Sequence, residues 1–150
     1  MSENLLQLIP QQPPYVPSEE AMFLAEQFLK LHISETSKVS TEVSNEIRFI
    51  DAGANFEWVS CPVCRKKISG EWWSVAMEEA HKTQFSSLEV NVPCCGSQTT
   101  LNDLNYNFTQ GFARFVLTVK NPGITEFEEQ SREELERIVD CKLRVIWTHY

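Results

Sequence analysis

The sequence predicts an α+β protein with a mostly antiparallel sheet and three helices. Several short segments are rich in β-branched and aromatic residues, which favour strands. Three longer segments repeat their apolar residues at helical spacing. Turn-forming residues separate these segments, so each element is short. The order of strands and helices along the chain then predicts the α+β class.

The first third of the chain contains one strand and one helix. The apolar run 5–9 predicts a strand, and the prolines that follow force an extended turn, because proline fixes φ and donates no hydrogen bond. Ser18 is a residue that caps helices well, and the two glutamates after it favour the helix dipole. Apolar residues then recur at i, i+3 and i+4, which predicts a helix over 18–32.

The next segment leads to the first cysteines. Residues 34–46 are polar and rich in Ser and Thr, so we expect a loop there. The segments 47–50 and 56–59 predict two strands, and the turn residues of 51–55 separate them. The second of these strands ends just before Cys61.

The middle of the chain predicts a helix and a hairpin. Residues 70–84 carry apolar side chains at helical spacing. Residues 88–92 alternate strictly and predict a strand, for which 97–101 is the return strand. Residues 102–111 are rich in Asn and predict a loop.

The last third of the chain predicts a β-α-β unit. Residues 112–119 are the strongest strand in the sequence, and Asn121-Pro122-Gly123 ends it. A helix over 131–140 and a strand over 143–148 follow.

The first 50 residues also fit a β-α-β order, with a strand at 46–50. Two such units in series resemble the ferredoxin-like split fold. We therefore expect one domain, 1–150, in which residues 51–110 form an inserted subdomain.

Charge and composition limit the possible partners. No apolar run approaches the length of a membrane span, and the first ten residues lack the basic region of a signal peptide, so we expect a cytoplasmic protein. The net charge is −8, and residues 1–60 hold nine acidic and three basic side chains. Nucleic-acid binding depends mainly on Lys and Arg, which makes nucleic acid a poor partner for this chain. An acidic surface favours a basic protein partner.

Four of the five cysteines lie in two tight clusters. Cys61-Pro62-Val63-Cys64 and Pro93-Cys94-Cys95-Gly96 each follow a predicted strand. An odd number of cysteines and a reducing compartment do not suit a disulfide framework. Thiolates grouped in this way hold Zn²⁺, which takes four ligands in a tetrahedron. We therefore predict a zinc site on Cys61, Cys64, Cys94 and Cys95.

The first cysteine cluster resembles the knuckle of a zinc ribbon, and the second resembles a shortened knuckle. The resemblance covers residues 56–101 and implies a structural zinc ion, but zinc ribbons serve unrelated functions. In the second knuckle the two cysteines are adjacent, and Gly96 supplies the positive φ that such a kink needs.

Other readings of the cysteines stay open. His81 can replace Cys94 or Cys95 as a ligand. Cys61 and Cys64 can instead form the redox pair of a thiol–disulfide oxidoreductase, although such pairs begin a long helix and none is predicted here.

No catalytic constellation stands out from the sequence. The histidines are scattered, and four thiolates close the coordination sphere of zinc. The first hypothesis is thus a non-enzymatic protein-interaction module, in its most specific form an immunity or antidote protein that neutralises a basic toxin. A nucleic-acid-binding ribbon is a further alternative, in which basic residues would act with two tryptophans. Those residues are Arg65, Lys66, Lys67, Trp72 and Trp73.

Overall fold

The computed structural model describes residues 3–33 and 37–150. It contains three helices: α1 (Glu19–His32), α2 (Gly70–His81) and α3 (Glu129–Val139). The long strands are β1 (Asn4–Pro10), β2 (Lys38–Ile50), β8 (Gly111–Lys120) and β9 (Leu143–His149). The short strands are β3 (Val59–Ser60), β4 (Lys67–Ile68), β5 (Glu89–Asn91), β6 (Gln98–Thr100) and β7 (Asn105–Tyr106). The α+β class with mostly antiparallel sheets is confirmed.

The long strands form one sheet in the order β2-β8-β1-β9. Every neighbouring pair is antiparallel, with Leu6 opposite Val119 on one side and opposite Trp147 on the other. Helices α1 and α3 thus each connect two parallel strands of this sheet with a third strand between them. This is the strand order and direction of the ferredoxin-like split β-α-β fold.

Both faces of this sheet are buried. Helices α1 and α3 cover one face, and a fully buried leucine there contributes about 1.5–3 kcal/mol to stability. The main buried residues of this layer are Leu6, Leu8, Ala25, Leu29, Phe115, Leu117, Val119, Leu135 and Val139. A smaller apolar cluster occupies the opposite face: Ile9, Ile50, Ala113, Val116 and Ile146. Because side chains on both faces of β8 are buried, its sequence is a nearly continuous apolar run.

The predicted loop over 34–46 is wrong for the part that the structure describes. Residues 38–46 belong to β2, and 34–36 lie outside the described residues. This strand is at the edge of the sheet, and nearly all of its side chains are exposed or only partly buried, so it lacks the apolar signal of a buried strand. Its register shifts between Val43 and Arg48, where extra residues bulge out of the ladder.

Several other boundaries differ from the prediction. The strand expected at 56–59 is the two-residue β3, and the helix expected to reach residue 84 ends at His81. The expected loop over 102–111 contains the two-residue β7. The hairpin over 88–101 is confirmed, because Val90 pairs with Thr99 between β5 and β6.

The segment between β2 and β8 has its own apolar cluster. Its buried residues are Val59, Cys61, Ile68, Ala80, Val92, Leu101, Leu104 and Phe112. Phe112 belongs to β8, and its ring packs against Phe49 of β2 at 5.2 Å between centroids. The long sheet therefore supplies part of the surface on which this segment folds. The assignment of 1–150 to one domain with 51–110 inserted stays a prediction.

Candidate metal centre

The sulfur atoms of Cys61, Cys64, Cys94 and Cys95 all lie within 4.8 Å of one another. The Cys61 and Cys95 sulfurs are 3.8 Å apart, and those of Cys64 and Cys94 are 3.2 Å apart. A disulfide bond would require about 2.05 Å. Four sulfurs around one Zn²⁺ at about 2.3 Å lie about 3.8 Å from one another. The cluster therefore has the size of a tetrathiolate metal site.

The first knuckle follows β3 and turns back into β4. Its backbone closes with two hydrogen bonds: Cys61 N–H donates to Lys66 C=O at 2.9 Å, and Arg65 N–H donates to Cys61 C=O at 3.0 Å. Arg65 adopts a left-handed φ of 66°. The N–H groups of Val63 and Cys64 point at the Cys61 sulfur, at 3.3 and 3.4 Å.

The second knuckle, between β5 and β6, has the same backbone hydrogen bonds. Val92 N–H donates to Ser97 C=O at 3.0 Å, and Gly96 N–H donates to Val92 C=O at 2.9 Å. Gly96 has a φ of 71°, as the sequence predicts for this position. The two turns therefore match residue for residue over 61–66 and 92–97.

This match places the ligands of the second knuckle out of register with those of the first. Val92 stands where the first knuckle has Cys61, and Cys95 stands where it has Cys64. Cys94 occupies the position of Val63, which is not a ligand position in the first knuckle. Aligning the two segments on Pro62 and Pro93 would have revealed this relation from the sequence.

The thiols differ in how readily they ionise. Burial opposes ionisation of Cys61, but the N–H groups of Cys64 and Val63 and the neighbouring thiols outweigh it and lower its pKa to about 6. The contact with the Cys64 thiol, together with burial, raises the pKa of Cys94 to about 12. The hydroxyl and N–H of Ser97 lower the pKa of Cys95. Metal binding must therefore displace a firmly held proton from Cys94.

An aromatic layer supports the knuckles from the side of α2. The Trp73 ring lies 5.1 Å from Phe56 and 6.1 Å from Tyr106, and its Nε1–H donates to the Tyr106 hydroxyl at 3.1 Å. Burial raises the pKa of Tyr106 to about 12, so this hydroxyl stays protonated and donates to Leu101 C=O. Trp73 thus has a structural role here.

The other candidate residues lie outside the cysteine cluster. Within residues 3–33 and 37–150, the group of possible metal ligands consists of the four cysteines and does not include His81. The His81 ring packs against Phe85 at 5.5 Å. Cys141 is half-buried against the main core.

The basic residues after the first knuckle are exposed, and one of them, Lys67, lies beside Trp58, which the sequence analysis did not single out. The Lys67 ammonium sits 5.1 Å above the ring of Trp58, which is 41% exposed. Trp72 is only half-exposed and packs against the apolar cluster of this segment.

Arg144 is a structural residue that the sequence analysis missed. Its Nη1 donates to Asn102 C=O at 2.7 Å and to Gln110 C=O at 2.8 Å, and its Nη2 donates to the Gln11 side chain at 2.8 Å. These contacts join β9 to the chain just before β8 and just after β1. No local pattern marks such a residue, because its partners are distant in sequence.

Glu136 is a second such residue. It is one of several glutamates of α3, yet its side chain is buried and accepts from Leu143 N–H at 2.8 Å and from Arg132 at 2.8 Å. On the exposed face of the same helix, Arg137 pairs with Glu134.

Comparison with known proteins found no matching family model, no similar curated protein and no similar solved structure. None of the helices in the described part of the chain is both long and apolar enough to cross a membrane. The arrangement of the four cysteines is therefore the chemical feature on which a functional argument rests.

Proposed function

We propose that this chain is a zinc-stabilised, non-enzymatic protein-interaction module. One observation carries the proposal: two equivalent knuckles, residues 61–66 and 92–97, bring four thiols within 4.8 Å of one another. Soft thiolates in a site of this size suit Zn²⁺, and four of them complete a tetrahedron without an open position for substrate. The zinc ion would then be structural and would contribute its binding energy to folding.

The geometry gives less support to a redox enzyme. Both cysteines of the first knuckle contact a thiol of the second knuckle: Cys61 contacts Cys95 at 3.8 Å and Cys64 contacts Cys94 at 3.2 Å. A thioredoxin-like pair also needs its first thiolate at the start of a helix. Here α2 begins at Gly70, after β4 has intervened.

The helical layer suits a partner with basic and apolar side chains. Helices α1 and α3 lie side by side on one face of the sheet, and acidic residues are exposed on both: Glu19, Glu20, Glu129, Glu133 and Glu134. Three large apolar side chains of α1 are also exposed: Phe23, Leu24 and Leu31. A basic protein would be steered to this face by charge and held by apolar contact.

The partner proposed is therefore a basic protein, and the specific form is an immunity or antidote protein for a basic toxin in the cytoplasm. Nucleic acid is a weaker candidate. Trp58, Lys66 and Lys67 offer a small cationic surface, but the chain as a whole carries a charge of −8.

The first experiment is metal analysis of the full chain purified without chelator. We expect one zinc per chain and four thiols whose reaction with a chromogenic disulfide goes to completion only after the metal is removed. The fifth thiol, Cys141, serves as the internal reference. A chain that holds no zinc even after reconstitution, with Cys61 and Cys64 mutually oxidised, would overturn the proposal in favour of the redox enzyme.

The second experiment tests the partner surface. The wild-type chain and a variant with Phe23, Leu24 and Leu31 changed to Ser are immobilised and exposed to the proteome of the source cell. We expect one basic protein to bind the wild type, to be released by raised salt, and to bind the variant poorly. Binding of RNA by both proteins, with a steep inverse salt dependence, would favour the nucleic-acid alternative.

A further inference from the structure

The ligands of the second knuckle are displaced from those of the first. Cys61, Cys64 and Cys95 stand at ligand positions of two equivalent turns, whereas Val92 stands at the remaining position. The missing ligand comes from Cys94, whose counterpart Val63 sits at the tip of the first turn and is 59% exposed. The site thus holds three thiols in the paired-knuckle arrangement and one from a different position.

Hydrogen bonds also distinguish these sulfurs. Two N–H groups donate to the Cys61 sulfur, and the Cys95 thiol donates to the Ser97 hydroxyl oxygen at 3.2 Å. Once Cys95 is deprotonated for metal binding, the Ser97 hydroxyl is close enough to donate to its sulfur in turn. Among the residues that the structure describes, the partner found for the Cys94 sulfur is the thiol of Cys64. A hydrogen bond to a thiolate stabilises its charge and makes it a weaker nucleophile. Among the described residues, no N–H or hydroxyl group donates to the sulfur of Cys94 or of Cys64. Of these two cysteines, Cys94 alone also lies outside the ligand positions of the paired turns.

We propose that Cys94 is the exchangeable ligand of the zinc centre and its site of covalent modification by soft carbon electrophiles. The inference rests on zinc binding as proposed above. The Cys94 thiolate attacks the electrophilic carbon, so the S–C bond forms while the bond to the leaving group breaks and the leaving group departs with its electron pair. The product is a neutral thioether, which binds zinc weakly. Cys61, Cys64 and Cys95 would still hold the ion, because zinc sites with three protein ligands are stable.

Exposure alone predicts a different result. Cys95 is the most exposed of the four residues, and Cys94 is half-buried. If access to solvent decided reactivity, Cys95 would react first. Turn register and hydrogen bonding instead select Cys94, so the order of modification separates the two explanations.

The test uses the zinc-loaded full chain and limiting iodoacetamide. Trypsin releases Cys94 and Cys95 in one peptide, residues 83–114, and fragmentation assigns the label. We expect Cys94 to react about tenfold faster than any other thiol of the cluster, with zinc still bound after one equivalent. Labelling of Cys95 or Cys64 first, or equal labelling of all four, would overturn the inference.

A matched variant moves the fourth cysteine from position 94 to position 92, which is equivalent to Cys61 in the first knuckle. The double substitution V92C/C94V restores a Cys-x-x-Cys pattern at positions 92 and 95 of the second knuckle. We expect this variant to bind zinc and to lose the fast reaction. A zinc-loaded variant that still reacts as fast as the wild type would contradict the assignment. If it does not fold, the order of labelling in the wild type still decides.

Metal analysis of the same samples separates the two proposals. A wild-type chain that binds no zinc removes both the proposed function and this inference. A chain that binds zinc and reacts first at another thiol removes the inference alone.

Discussion

Arg65 and Gly96 hold the same place in two equivalent turns, with φ angles of 66° and 71°. Each residue donates its N–H to the carbonyl four positions earlier, and each follows the last cysteine of its knuckle. The left-handed conformation suits glycine but costs other residues about 1 kcal/mol. Both knuckles thus need a left-handed residue at this position, which is an arginine in the first knuckle and a glycine in the second.

This difference predicts opposite effects of two substitutions. Gly96→Ala should destabilise the zinc-loaded protein by about 1 kcal/mol, because a Cβ there meets no atom within 4 Å and the cost is purely conformational. Arg65→Gly should be neutral or stabilise by up to about 1 kcal/mol. Chemical denaturation with both variants measures the two effects, and an equal loss of stability in both would refute the equivalence of the turns.

Zinc binding should release fewer than four protons at pH 7.5. The pKa of Cys61 is lowered to about 6, so this thiol is already ionised, whereas Cys94, with a pKa raised to about 12, must lose its proton. Below pH 6 the Cys61 thiol also takes up a proton, and the number released then rises toward four.

Calorimetry in buffers of different ionisation enthalpy counts these protons. Release of four protons at pH 7.5 would show that the pKa of Cys61 is not lowered. The Cys61→Ser variant gives the control, since it removes the ionised thiol and should leave the proton count of the others unchanged.

Replacing a cysteine of the cluster should weaken zinc binding, whereas replacing the fifth cysteine should not. Cys61→Ser should weaken zinc binding by about two orders of magnitude and lower the unfolding midpoint, because metal binding contributes to folding. Cys141→Ser is the matched control, since that half-buried thiol packs against the other core. Competition with a zinc chelator measures both affinities, and an equal loss in the two variants would contradict the assignment of the site.

Arg144→Met should destabilise the fold by about 2–3 kcal/mol and leave zinc affinity unchanged. The substitution leaves the carbonyls of Asn102 and Gln110 without their donor in a part-buried region. Arg137→Met is the control, because that side chain is exposed and its ion pair contributes little. Urea denaturation measures the free energy of unfolding of both variants. A similarly small loss of stability in both would mean that the contacts of Arg144 do not stabilise the fold.

Local sequence patterns predicted most elements of the long sheet. The helix α1 begins one residue after Ser18, whose side chain accepts from Ala21 N–H as a capping residue should. Strand β8 was the strongest signal because its side chains are buried on both faces. Strand β2 was largely missed, since an edge strand whose side chains are nearly all exposed or only partly buried carries little apolar periodicity.

The candidate site was predicted in part. The residue types and the spacing of the two cysteine clusters indicate a metal, and the four thiols do lie close together. The displacement of Cys94 was not predicted, although aligning the two segments on Pro62 and Pro93 places Cys94 opposite Val63. The buried carboxylate of Glu136 was also missed, since its partner Leu143 N–H belongs to the next strand.

What the sequence by itself determined is local: where helices begin, where the chain turns, and which two turns carry thiols. These features depend on residues no more than about four positions apart, so a linear reading contains them. Only the tertiary structure decided which segments meet. The pairing of β2 with β8, the approach of the two knuckles and the contacts of Arg144 join residues 30 or more positions apart. Such contacts follow from packing the whole chain into one set of buried surfaces, which no single segment encodes.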